Sequence, residues 1–141
     1  VANHHTKDKG DLGVAKVYAD LVGRGFHALM PMTEHAPFDL VAYQRAFHRV
    51  QVKYRSARGG SITVHFRSMW ADRHGTHVAR LDKDEVDVVA IYCPETDACY
   101  YLRPDAFQSS VTLRVLPSAN GQVRGVRSAS LYREFPPQLC S

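Results

Sequence analysis

Asp39, Gln51, Lys53 and Asp11 are the side chains whose types and spacing could do chemistry. Asp39 follows Pro37-Phe38, and eleven residues separate it from Gln51-Val52-Lys53. Gln51 and Lys53 are two apart in a strand-like stretch, so their side chains leave on one face. Asp11 lies at the start of a helical pattern, in line with Ala15, Tyr18 and Val22, and borders their apolar stripe. A helix packed on the strands would bring Asp11 towards Asp39, Gln51 and Lys53 at one end. Magnesium takes hard oxygen ligands and keeps several waters. Asp39 and Asp11 offer carboxylates, Gln51 an amide oxygen, and Val52 its main-chain carbonyl; manganese is expected to substitute. Lys53 offers a cation that can orient or activate water, or steady charge building on a phosphate. Metal-assisted phosphodiester hydrolysis requires those roles. Two carboxylates near one point repel without a cation, so a strained site or a raised carboxylate pKa is expected.

The elements that must position these groups follow from periodicity. Residues 7–23 read as a helix with Leu12, Ala15, Tyr18, Ala19 and Val22 on its apolar side. Thr6 can cap its start, Gly23 and Gly25 can end it, and Lys9, Lys16 and Asp20 are expected on the other side. Strands are expected over Phe26–Met32, Phe38–Tyr43, Arg49–Arg55, Ile62–Phe66, Asp87–Tyr92, Ala98–Leu102 and Ser110–Leu116. The third alternates, with Val50, Val52 and Tyr54 on one face and Gln51, Lys53 and Arg55 on the other. Gln44–His48 is short enough for a hairpin. Residues 68–84 read as polar and irregular, and Asp82–Asp87 as a solvated turn, with Asp87 able to line the site. Helix first and hairpin-joined strands after give an α+β layout with a mixed, mostly antiparallel sheet.

Length and composition bound the rest. The 141 residues suit one domain. We divide them into a core over residues 1–116 and a Ser-, Gly- and Pro-rich arm over 117–141, available for oligomer or DNA contact. Hydrophobic residues at 45% exclude a disordered chain. No apolar run approaches membrane-span length, and VANHHTKDKG carries no apolar signal segment, so a cytoplasmic location is expected. The charge is uneven. Residues 1–70 hold ten Lys and Arg against five Asp and Glu, a net of +5, while residues 71–141 hold eight against nine, a net of −1. A basic half suits a polyanionic partner. Lys7, Lys9, Arg45, Arg49, Arg55, Arg58 and Arg67 are candidates for phosphate contact, and Gln44, Arg45, His65 and Arg67 for base reading. Three cysteines, Cys93, Cys99 and Cys140, fit neither a disulfide framework nor a zinc site. His4-His5 and His74-x2-His77 lack a cysteine at zinc spacing and read as loop histidines. There is no glycine-rich phosphate loop and no nucleophilic-serine motif.

Pro37-Phe38-Asp39 with Gln51-Val52-Lys53 resembles the PD-(D/E)xK nuclease signature, with Gln51 in the acidic slot. The flanking text is more specific. Lys9-Gly10-Asp11-Leu12-Gly13, Leu29-Met30-Pro31, TEHAPFDLVAY, VQVKYRSAR and DEVDVVAIYCPETDACYYL together resemble the group I intron-encoded homing endonuclease branch. The likeness spans about residues 6–105. It implies a restriction-endonuclease-like core, with Asp39 as the metal-binding acid and Lys53 as the catalytic lysine. Gln51 takes the place of Glu, a replacement that also occurs in this branch. Asp11 takes the helix position that is more often Glu. Asp is one methylene shorter, so a water-bridged metal contact is an alternative to a direct one.

The resemblance implies a magnesium-dependent endonuclease that makes site-specific double-strand breaks in DNA. One active site cuts one strand, so a homodimer or a homotetramer is expected, with a roughly palindromic target. Two alternatives share the core: a Holliday-junction resolvase reading four-way shape, and a DNA-binding module that cuts nothing. A protein-interaction domain is a remoter class, and the basic charge argues against it.

Overall fold

The computed structural model describes residues 6–117 and 120–138, and the side chains of residues 68–70 are excepted from that description. His4-His5 and Cys140 therefore lie outside the described residues. The chain opens with α1 (Thr6–Gly23) and continues through nine strands: β1 (His27–Leu29), β2 (Leu40–Tyr43), β3 (Phe47–Tyr54), β4 (Ser61–His65), β5 (Arg67–Asp72), β6 (Gly75–Arg80), β7 (Val88–Cys93), β8 (Ala98–Leu102) and β9 (Ser110–Arg114). The main sheet has the order β1-β2-β3-β7-β8. Only the β3–β7 pair in it is parallel, with Gln51 beside Val89 and Lys53 beside Ile91. The remaining pairs are antiparallel. This is the α+β, mixed but mostly antiparallel arrangement expected. β4 and β9 form a second, two-stranded sheet, and β5 and β6 a third.

Two apolar layers flank the main sheet, as strand alternation requires of a sheet covered on both faces. On one face Val17 and Leu21 of α1 pack with Leu40, Ala42, Val50, Val88, Ala90, Tyr92 and Tyr101. On the other, Val89, Ile91, Cys93, Tyr100 and Leu102 meet Ile62, Val64, Val111 and Leu113 of the β4–β9 sheet. Every residue of β7 and β8 is buried. The alternation read in β3 holds. Val50 is in the core with Val52 and Tyr54 packed against it on the helix side. Gln51, Lys53 and Arg55 therefore turn to the opposite face.

The helix forms as expected but rolls differently. Its buried residues are Gly13, Val17 and Leu21, while Ala15, Tyr18, Ala19 and Val22 lie exposed. Gly13 lies against β3 in that roll. A Cβ built there would meet Val52 Cγ1 at 3.4 Å and Tyr54 Cβ at 3.6 Å, so this face lets α1 settle onto β3. The polar residues assigned to solvent flank that contact instead. Lys16 pairs with Asp97 at 2.9 Å, Lys9 lies over the Tyr54 ring, and Asp20 accepts from the fully buried Tyr101 hydroxyl. A buried phenol needs such a partner.

One further correction concerns a loop. Residues 68–84 are not wholly irregular: β5 and β6 make a regular hairpin in full register from Arg67 opposite Arg80 to Asp72 opposite Gly75. The segment was obscured because neither RSMWAD nor GTHVAR alternates cleanly between polar and apolar residues. Its turn is nonetheless coded. The Asp72 carboxylate accepts the His74 amide at 2.7 Å, and Gly75 takes the left-handed φ of +116° that other residues avoid. Among the described residues after Pro117 most lack regular structure, while Ala129, in a short 3-10 turn, and Phe135 are buried in the two cores.

Candidate active site

β2 and β3 place the site by register. Leu40 lies opposite Val50, so Asp39, one residue earlier, lies opposite Gln51 and shares its face. The Asp39 amide donates to the Val50 carbonyl at 2.9 Å. Its carboxylate Oδ2 accepts the Val52 amide at 2.7 Å. That bond fixes the side chain beside β3 and leaves Oδ1 without a hydrogen bond among the described residues. Val52 turns its N–H towards Asp39, and strand geometry turns its carbonyl the same way.

The electrostatics are those of a half-buried site. Burial raises the Asp39 pKa, against the Val52 hydrogen bond and the Lys53 charge, which lower it. The rise was anticipated, but its first cause is desolvation rather than repulsion from Asp11. Burial, with the nearby Arg55 charge, lowers the Lys53 pKa to about 8, and Asp39 opposes that fall. Lys53 Nζ also reaches the Arg67 carbonyl at 3.4 Å. Gln51 Oε1 is buried and has no hydrogen-bond donor. An orphaned amide oxygen beside a desolvated carboxylate is the donor chemistry a hard divalent cation seeks. The residues thus fit such an ion, which Asp39 Oδ1, Gln51 Oε1 and the Val52 carbonyl would hold.

Asp11 approaches Asp39 alone from the helix. It is exposed, and it lines with Asp39 an open hollow of about 280 Å³ walled by Val14, Met30, Pro31, Thr33, Glu34, Ala36 and Phe38. Helix and sheet therefore bring the two carboxylates to one concavity. Among the described residues no three His, Cys, Asp or Glu side chains converge as a metal cluster. Gln51 and Lys53 do not line this hollow, so the helix brings Asp11 towards Asp39 but not into contact with the whole expected set.

The basic candidates divide by position. Lys7 and Lys9 ride the first turns of α1, near Asp11. Arg55 follows Lys53, and its guanidinium donates to the Tyr54 carbonyl at 2.8 Å. Arg58, His65 and Arg67 are exposed. Gln44 and Arg45 occupy the β2–β3 turn, at the end of the hairpin away from Asp39. Arg49 is engaged with Asp87 through two guanidinium bonds of 3.0 Å, and its amide adds a third at 2.8 Å. Asp87 thus lies at the Arg49 end of β3 and not beside Gln51. Arg73 and Arg80, which the sequence reading did not place near DNA, lie exposed on the β5–β6 hairpin with His74. The exposed hairpin's coded turn, Asp72-Arg73-His74-Gly75, was the signal available in the sequence.

A helix-backed mixed sheet with this acid, amide and lysine on adjacent strands defines a nuclease-type core. Residues 4–135 match the PD-(D/E)XK endonuclease family, and the chain belongs to it. Among solved structures it is similar to a bacterial homing endonuclease, I-Ssp6803I, with a TM-score of 0.74 and 23% identity, over 92% of this chain and 89% of that one. No curated protein matches the chain.

Proposed function

We propose that the chain is a divalent-metal-dependent DNA endonuclease of the homing type, making site-specific double-strand breaks. The observation that carries the reading is the buried, unpartnered Gln51 Oε1 opposite Asp39 and two residues from Lys53. Magnesium, or manganese in its place, would supply a Lewis acid and an activated water when bound. Asp39 binds it with the oxygen that Val52 leaves free. Gln51 and the Val52 carbonyl add neutral oxygens, and Asp11 contributes directly or through water. Lys53, held partly out of water, steadies negative charge on the phosphate being attacked. Its proton is more readily released than an ordinary lysine's, so it can also pass one to a departing oxygen. One such site cuts one strand, so a double-strand break calls for a homodimer or homotetramer. The similarity to a homing endonuclease supports this reading, as does the basic N-terminal half.

The test is a magnesium-dependent cleavage assay on a randomised duplex pool and a four-way junction, with Lys53→Ala alongside. Discrete enriched cut sites, lost in the variant, are expected. Cutting confined to the junction would replace the homing reading with a resolvase. Binding without cutting in magnesium or manganese would defeat the catalytic assignment of Asp39, Gln51 and Lys53.

A further inference from the structure

The β5–β6 hairpin pairs with no other strand of the described residues. From residue 71 to residue 80 every residue is exposed except His77, which is half-buried. A two-stranded ribbon wet on both faces is marginal alone and needs cover. Its charge indicates the cover. Arg67, Arg73 and Arg80 stand against one acid, Asp72, which is already held by His77 at 3.0 Å and by the His74 amide. Arg67 and Arg80 sit directly opposite each other. Like charges so placed repel unless an anion lies between them. The ribbon also leaves the body at the catalytic lysine, whose Nζ contacts the Arg67 carbonyl at 3.4 Å. Its base is tied down by the Leu81 amide bonding the Phe66 carbonyl at 3.0 Å.

Resting on the nuclease reading above, we propose that this ribbon enters the major groove of duplex DNA and reads the bases flanking the cleaved bond. The major groove, roughly 12 Å wide, admits a two-stranded ribbon. Arg67 and Arg80 grip phosphates at its base. Thr76 and Val78 follow Arg80 along the same face at alternate positions, and Val78 is 55% exposed. They offer a hydroxyl and methyl groups to base edges and thymine methyls. Arg73 at the turn offers a guanidinium to guanine.

The test selects sequences from a randomised duplex pool with the full chain, scoring bound and cut molecules separately. Wild type is compared with Arg73→Ala, Thr76→Ala and the double variant Arg67→Ala/Arg80→Ala. These side chains are exposed, so folding should persist, as circular dichroism will check. Arg73→Ala and Thr76→Ala should each lose preference at discrete base pairs near the cut, by roughly five- to hundred-fold. The double variant should weaken binding to all sequences and reduce the salt slope by about 2. Wild-type protein should shield guanine N7 from dimethyl sulfate there, a readout that needs no variant. Unchanged preferences, or unshielded N7, would overturn the proposal. A changed oligomeric state with unchanged preferences would assign the ribbon to a second copy of the chain. Wild type that selects and binds but does not cut defeats the nuclease reading alone. Cutting with the ribbon preferences unmoved defeats the ribbon alone, and absence of binding defeats both.

Discussion

Gln51 buries an amide oxygen that no donor meets. Leaving such a group unsatisfied costs about 1–3 kcal/mol. Gln51→Leu should therefore raise the melting temperature of the metal-free protein by several degrees while removing cleavage. A calorimetric scan beside a cleavage assay checks both halves, and an unchanged or lower melting temperature would mean that the oxygen is satisfied in solution. Asp39→Asn keeps an acceptor for the Val52 amide, so it should fold normally and lose metal-stimulated cleavage. Lys53→Met should lower the cleavage rate by ~10²–10⁴ while leaving duplex binding within a few-fold. Single-turnover kinetics with a gel-shift assay separate the two effects. The candidate residues were legible because their chemistry is local to two strands. The origin of the Asp39 shift was not, because burial depends on packing that spacing does not encode.

At the scale of elements, α1 meets β3 at Gly13, where a methyl group also fits. Alanine there meets ordinary contacts at 3.4 Å and beyond and gains helix propensity. Gly13→Ala should stay within about 1 kcal/mol of wild type. Gly13→Leu overfills the contact, should cost about 1–3 kcal/mol, and should displace Asp11 with the helix. Thermal melts rank the pair. The Arg49–Asp87 bridge ties β3 to the residue before β7, and its side chains are 37% and 38% exposed. Solvent screening therefore keeps its worth small. The Arg49 hydrogen bond, before other causes, lowers the Asp87 pKa below 3.8. Between that lowered value and 3.8 the unfolded chain binds more protons, so stability rises with pH. The bridge's contribution is complete above pH 3.8 and fades as pH falls below it. Wild type should exceed Asp87→Asn in melting temperature at pH 7, and the gap should close under acid. A gap that persists at the lowest pH would show that the carboxylate's charge is not its source.

For the whole molecule, the +5 carried by residues 1–70 sets how binding answers salt. Duplex affinity should fall with a log–log slope of about −0.9 per neutralised phosphate. A flat response in a fluorescence titration would deny the basic half its role. Much of the architecture was readable because β2, β3, β7 and β8 alternate or run apolar between clear turns. The face of α1 was misjudged because Ala15, Tyr18 and Val22 form a better apolar stripe than Gly13, Val17 and Leu21. A glycine registers as a break in hydropathy, yet here it lies against Val52 and Tyr54 of β3. Order of synthesis gives the parallel pair a further meaning. A ribosome makes Asp11, Asp39, Gln51 and Lys53 well before Val89 and Ile91, the residues that brace Gln51 and Lys53 from the far side. A parallel partner cannot be reached by a tight turn, so β3 must wait for β7. The nascent chain holds every group of the proposed chemistry early and cannot fix their geometry, which leaves β7, a strand bearing none of those groups, to complete the proposed site.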